Sequence, residues 1–189
     1  MGRWEPDAAG RFRAAAMELF GDVGFEQTTV ADIAARAGLT ARTFFRYFAD
    51  KREVLFDGTG RLQQAMVNGL GNAPGNASAF EAVAAALDAT AGYFADTHRP
   101  FARQRSLVIA ANTGLNEREL VKLATMAVGL AEGLRARGIP EPDASLAAET
   151  GIAVFRVAFG LWVRESEQRG FREIVHEALA RLRRLFAIN

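Results

Sequence analysis

Between Arg36 and Arg52 the sequence sets five cations, Arg36, Arg42, Arg46, Lys51 and Arg52, against one acid, Asp50. The chain as a whole carries 23 basic and 22 acidic residues among 189, a net charge of +1, so the polyanion signal is local and not global. Arg42 and Arg46 stand four positions apart, which on a helix puts them on one face. A guanidinium there reaches a phosphate or the edge of a guanine, and the residue types leave both open. Ala41 offers a small apolar surface for close approach or for a thymine methyl. Thr43 adds a hydroxyl, and Thr40 a capped helix start whose amide dipoles face phosphate. Lys51 is expected as a second clamp on the backbone.

Covalent chemistry has far less to work with. The chain has no cysteine, which removes disulfides, thiolate zinc sites and thiol nucleophiles. Ser106, Ser145, Ser166, His98 and His176 show no nucleophile–base spacing, and neither a phosphate loop nor a metal motif is present. No catalytic residue, metal or cofactor is expected.

These residues need an element to hold them. Thr29 followed by Asp32 is a capping pair that opens a helix with Ile33, Ala34 and Ala37 inward, and Gly38 supplies the left-handed residue that ends it. Thr40 then caps a third helix, with Phe44 and Phe48 as its core anchors. Two short helices joined through Gly38-Leu39-Thr40 make a helix-turn-helix, whose second helix enters the major groove. The crowding of aromatics in IAARAGLTARTFFRYF has a mechanical reason: very short helices bury little surface, so large rings must set their angles. Before this motif a first helix is expected from about Pro6 or Asp7 to Asp22. After it, Asp50 and Glu53 start a fourth helix through Val54, Leu55, Leu62 and Met66, ending near the turn cluster at residues 68–76.

The remaining pattern is helical throughout, with no convincing strand alternation and no internal repeat. Ser78 with Glu81 opens a stripe through Phe80, Leu87 and Phe94; Asn116 with Glu119 opens another through Leu123 and Leu130. Two C-terminal helices carry Ile152, Phe155, Phe159 and Trp162, then Ile174, Ala178, Leu182 and Leu185. The expected fold class is all-α, about nine helices, with an N-terminal three-helix DNA-binding domain over residues 1–52 and a helical domain over 53–189. No apolar run is read as long enough to span a membrane, and MGRWEPDAAGRF has no signal-peptide segment, so a cytoplasmic protein is expected.

TTVADIAARAGLTARTFFRYFADKREVLF, residues 28–56, resembles the DNA-binding signature of the TetR/AcrR family of bacterial transcriptional regulators. The match runs through Thr29, Ile33-Ala34, Ala37-Gly38, Thr40, Thr43-Phe44, Tyr47-Phe48, Lys51 and Leu55, and TFFRYF is familiar among actinobacterial members. The DNA-binding set is then Thr29, Thr40, Ala41, Arg42, Thr43, Phe45, Arg46, Tyr47 and Lys51. Phe45 departs from the family's frequent tyrosine and lacks the hydroxyl that touches phosphate.

The resemblance implies a homodimer on a palindromic operator, repressing until a small hydrophobic or amphipathic effector binds the helical domain. Phe80, Leu87, Phe94, Leu107, Met126, Leu130, Phe155 and Phe159 are the apolar candidates for the effector pocket, with Arg105 and Asn112 as polar contacts. Trp162, Ile174, Ala178, Leu179, Leu182 and Phe186 are the dimer candidates. An activator of the same fold and a helical scaffold without regulation are the alternatives.

Overall fold

The computed structural model describes residues 7–186, and Pro6, at the expected start of the first helix, lies outside them. Among the described residues every regular element is helical. In order these are α1 (Ala8–Asp22), α2 (Val30–Arg36), α3 (Ala41–Phe44), α4 (Glu53–Phe56), α5 (Thr59–Gly71), α6 (Ala79–Ala89), α7 (Arg99–Ala110), α8 (Thr113–Ala136), α9 (Asp143–Trp162) and α10 (Phe171–Phe186), with two single 3-10 turns between α6 and α7. The chain divides into two compact units. The first comprises residues up to Asp57 together with Arg103–Glu119, and the second Gly58–Ala102 together with the chain from Leu120 onward.

The first unit is held by aromatic packing. Phe12, Phe44 and Phe48 meet edge-on or tilted at 5.2 to 6.3 Å between ring centres, and Phe12 and Phe44 have no exposed surface. Each such ring contributes about 1.5–3 kcal/mol by leaving water. Val108, Ile109 and Leu115, from the corner between α7 and α8, complete the same core. Arg105 fastens that corner, donating to the Leu55 carbonyl at 2.6 Å and to Glu119 at 2.9 Å.

Three sequence expectations change here, the first being that α8 begins at Thr113 and not at the expected Asn116. The fourth helix is broken, because Asp57 is extended and Gly58 adopts φ +98°, a conformation that L side chains rarely take, so α4 and α5 are separate. α6 stops at Ala89, where the buried Thr90 hydroxyl donates to the Leu87 carbonyl. Phe94 therefore lies in the irregular stretch beyond the helix.

The second unit packs α5, α6, α9, α10 and the larger part of α8 around Met66, Leu70, Leu87, Met126, Leu130, Leu134 and Trp162. α5 and α6 touch through Gly69, where an added Cβ would stand 2.5 Å from the Ala89 Cβ. Phe94, Phe155, Phe159, Trp162 and Phe171 form one ring cluster, with centres 4.2 to 6.2 Å apart. α9 is, contrary to the sequence expectation, long and apolar enough to cross a membrane by length and composition. Its Ala144, Ala148, Gly151, Ile152, Phe155, Ala158 and Trp162 are buried in this unit.

Candidate nucleic-acid interface

The helix-turn-helix is assembled from short-range hydrogen bonds. Thr29 Oγ1 accepts from the Asp32 amide at 3.1 Å, and the Asp32 carboxylate accepts from the Thr29 amide at 2.9 Å, a reciprocal cap on α2. The Thr29 hydroxyl bonded to that carboxylate, with the Thr29 amide beside it, holds Asp32 below the usual carboxylate range. At the other end of α2 the Leu39 amide donates to the Ala34 carbonyl at 2.9 Å and the Gly38 amide to Ala35 at 3.0 Å, the paired bonds of a Schellman turn. Gly38 takes φ +66°, as that turn demands. Arg11, from α1, donates to the Ala37 carbonyl at 2.5 Å and so ties the turn to the first helix.

The reading element is shorter as an α-helix than its sequence predicts. α3 covers four residues, capped by Thr40 accepting from the Thr43 amide at 3.1 Å, and the coil continues to Phe48 as overlapping turns. Tyr47 and Phe48 both donate to the Phe44 carbonyl, at 2.9 and 3.0 Å. This one segment sorts its side chains by direction. Phe44 and Phe48 are buried, while Phe45 and Tyr47 are 58% and 42% exposed.

Thr40, Arg42 and Arg46 are exposed, and Ala41 and Thr43 half-buried. Arg36 and Arg52 are paired, with Glu18 and Asp50. Among the described residues neither Arg42 nor Arg46 has an acidic partner, so both charges are available to a polyanion. Lys51 is placed differently: its ammonium donates to the carbonyls of Phe25, Glu26 and Thr28 at 2.7, 3.2 and 3.0 Å. Thr29 is exposed but occupied by its cap.

The residues proposed for an effector fall into two groups. Leu87, Met126, Leu130 and Phe155 are buried in the second unit's core, with Phe94 and Phe159 half-buried beside them. Phe80 is half-buried under the Arg183 guanidinium, 4.3 Å from its ring centre. Arg105, Leu107 and Asn112 belong to the first unit. There Arg105 is bonded as above, Leu107 is 65% exposed, and the Asn112 amide donates to the Val108 carbonyl at 2.7 Å.

A cavity of about 290 Å³ lies between α6, α9 and α10, walled by Phe80, Val83, Leu146, Val154, Leu179 and Leu182 among others. Its lining joins one effector candidate to two dimer candidates. Of the other dimer candidates, Trp162 and Ile174 are buried within the unit, Ala178 is half-buried, and Phe186 is 75% exposed. Leu146 and Val157, exposed at 63% and 57%, were not singled out from sequence. Their spacing of eleven residues, three helical turns, was the available signal. Among the described residues no group of three or more His, Asp or Glu side chains could hold a metal ion.

A short capped helix pair, an anchored turn and an outward face of two arginines and two aromatic rings form a helix-turn-helix, the arrangement that presents a helix to a duplex groove where it binds DNA. Residues 12–57 match the family model described as bacterial regulatory proteins, tetR family. A curated relative, the HTH-type transcriptional regulator TcmR of Streptomyces glaucescens, is 36% identical over 81 residues, 43% of this chain. The matched stretch spans 36% of that relative's length.

Similarity of fold extends much further. A putative transcriptional regulator from Pseudomonas aeruginosa PAO1 superposes with TM-score 0.65 at 20% identity, covering 97% of this chain and 92% of its own. The transcriptional regulator FadR of Bacillus subtilis, solved in complex with stearoyl-CoA, gives TM-score 0.62 at 23% identity, covering 95% and 99%.

Proposed function

We propose that the protein is a sequence-specific DNA-binding transcriptional regulator that acts in the cytoplasm as a homodimeric repressor and leaves a palindromic operator when an apolar or amphipathic small molecule binds. The observation that carries the reading is the sorting of the segment 40–48. Its rings Phe44 and Phe48 are sealed in the core, and Arg42, Phe45, Arg46 and Tyr47 are presented outward from a rigidly capped helix. Thr40, Ala41 and Thr43 line the same approach. A face so built holds the backbone of its arginines at fixed spacing over phosphates or base edges, so that binding orders only their side chains.

The regulatory role falls to the second unit. Its apolar cavity lies at the lower end of the size range of ligand pockets, and the fold neighbour solved with stearoyl-CoA supports an effector with a long apolar portion. Such a ligand releases DNA only by binding the DNA-incompetent state more tightly than the competent one. Self-association is assigned to α9 and α10, whose exposed Leu146, Val157, Leu185 and Phe186 give an apolar surface that a partner copy would cover. The Streptomyces relative supports an actinobacterial affinity.

The test is selection of bound fragments from genomic DNA with purified protein, followed by titration of the recovered site. An inverted repeat, with saturable binding that weakens as salt rises, is the expected result. Equal affinity for unrelated duplexes would refute a specific regulator. Replacing a base-reading arginine should then cost about 1–3 kcal/mol at one position of the site, whereas loss of a phosphate contact weakens all sites alike.

A further inference from the structure

Lys51 is basic, lies three residues beyond the reading segment, and by sequence looks like a hand for phosphate. The geometry points to a different job: we propose that Lys51 is a positioning residue, its ammonium turned inward to lock the segment between α1 and α2 against the exit of the helix-turn-helix. The inference rests on the DNA-binding reading and assigns one of its residues a new role.

An ammonium has three N–H donors and no acceptor. Here three carbonyls answer them, Phe25 at 2.7 Å, Thr28 at 3.0 Å and Glu26 at 3.2 Å. All three belong to the connection between α1 and α2, outside any helical ladder. The charge also stands 4.4 Å from the centre of the buried Phe25 ring, which itself packs on Phe20 at 5.1 Å. Cation and ring attract through the ring quadrupole, so the ammonium is held from two directions.

The connection is further drawn in by the buried Thr28, whose hydroxyl donates to the Gly24 carbonyl at 2.8 Å. Thr28 leads straight into Thr29, the cap of α2. Lys51 thus joins the residue before the cap of the supporting helix to a position just past the reading segment, across 23 positions of sequence, and brackets the whole motif. A side chain with every donor engaged has none left for phosphate. Arg42 and Arg46 remain as the outward cations.

The chain has only two lysines, Lys51 and Lys122, so an amine-reactive label followed by mass spectrometry reads Lys51 directly in the wild-type protein. Lys51 in the folded protein should react about tenfold or more slowly than in the urea-unfolded chain, with or without operator duplex, because its reaction requires local opening. Reaction as fast as in urea, with protection appearing only on adding duplex, would overturn the proposal.

The second arm uses Lys51→Met in the full-length dimer, below its melting transition. Its preference for operator over random duplex should fall, about tenfold, while the slope of log affinity against log salt stays at the wild-type value. A lost phosphate contact would instead lower that slope by about 0.9 per head, about 1.8 for two heads. That outcome, or an operator preference unchanged in the folded variant, also overturns it. If the wild type binds no duplex, the DNA-binding reading falls by itself, and the labelling rate of the free protein still decides which way the ammonium is held.

Discussion

Gly69 sits where α5 and α6 come closest, and replacing it by alanine sets two effects of known size against each other. Alanine is favoured over glycine inside a helix by about 1 kcal/mol, which argues for stabilisation. Against that, the new Cβ would stand 2.5 Å from the Ala89 Cβ, 2.7 Å from the Ala85 carbonyl oxygen and 3.0 Å from the Ala86 Cα. None of these atoms can rotate away, since two are backbone and the third is the stub of an alanine. The helices must part by most of an ångström. Forced expansion of a packed core costs about 1–3 kcal/mol, and a clash this deep with rigid atoms belongs in the upper half of that range.

The expected net loss is about 1–2 kcal/mol, a fall of about 2–8 °C in melting temperature for a chain of this size. Gly71→Ala is the control on the same helix, because a Cβ there meets nothing within 4 Å. That variant should melt at the wild-type temperature or slightly above it. Both are compared by thermal denaturation at one protein concentration, since self-association of the proposed kind would couple stability to concentration. Gly69→Ala melting at or above the wild type would refute the close-approach argument.

Arg105→Met removes the bonds to the Leu55 carbonyl and Glu119 while keeping an apolar stem, and should destabilise the first unit by about 1–3 kcal/mol in chemical denaturation; a change under about 0.5 kcal/mol would show that the corner does not depend on it. Phe45→Tyr adds a hydroxyl to a ring that is 58% exposed on the proposed reading face. With a net gain of about 0.5–1.5 kcal/mol per hydrogen bond and two heads in the proposed dimer, operator affinity by fluorescence anisotropy should rise about fivefold or more, with melting unchanged. Glu167 accepts hydrogen bonds from the Arg169 side chain and from the amides of Arg169 and Gln168, which bring its carboxyl down from an ordinary 4.5 to about 2. Because the folded value is depressed, the contribution of these bonds is complete above about pH 4.5 and is lost as pH falls toward 2. A carboxylate carbon titration of Glu167 with a midpoint near 4.5 would contradict the assignment.

What could be read from sequence was whatever is closed within a few residues. The Thr29–Asp32 and Ser78–Glu81 boxes, the left-handed Gly38 turn and the Thr40 cap each depend on atoms three to five positions apart, so residue type and spacing carry them almost completely. The inward direction of Phe44 and Phe48 was legible for the same reason, from helical spacing.

Tertiary structure alone decided the rest. It joined residues 103–119 to the first unit, split the expected fourth helix at Asp57 and Gly58, and placed Phe94 among the rings of α9 although it had left its own helix. Above all it settled which way a cation points. Arg46 and Lys51 look alike in sequence, five residues apart on a basic stretch, but the acceptors for Lys51 lie 23 to 26 residues away on a segment that only folding brings near. A long flexible side chain goes where its donors find partners, and partners that distant in sequence leave no periodic trace.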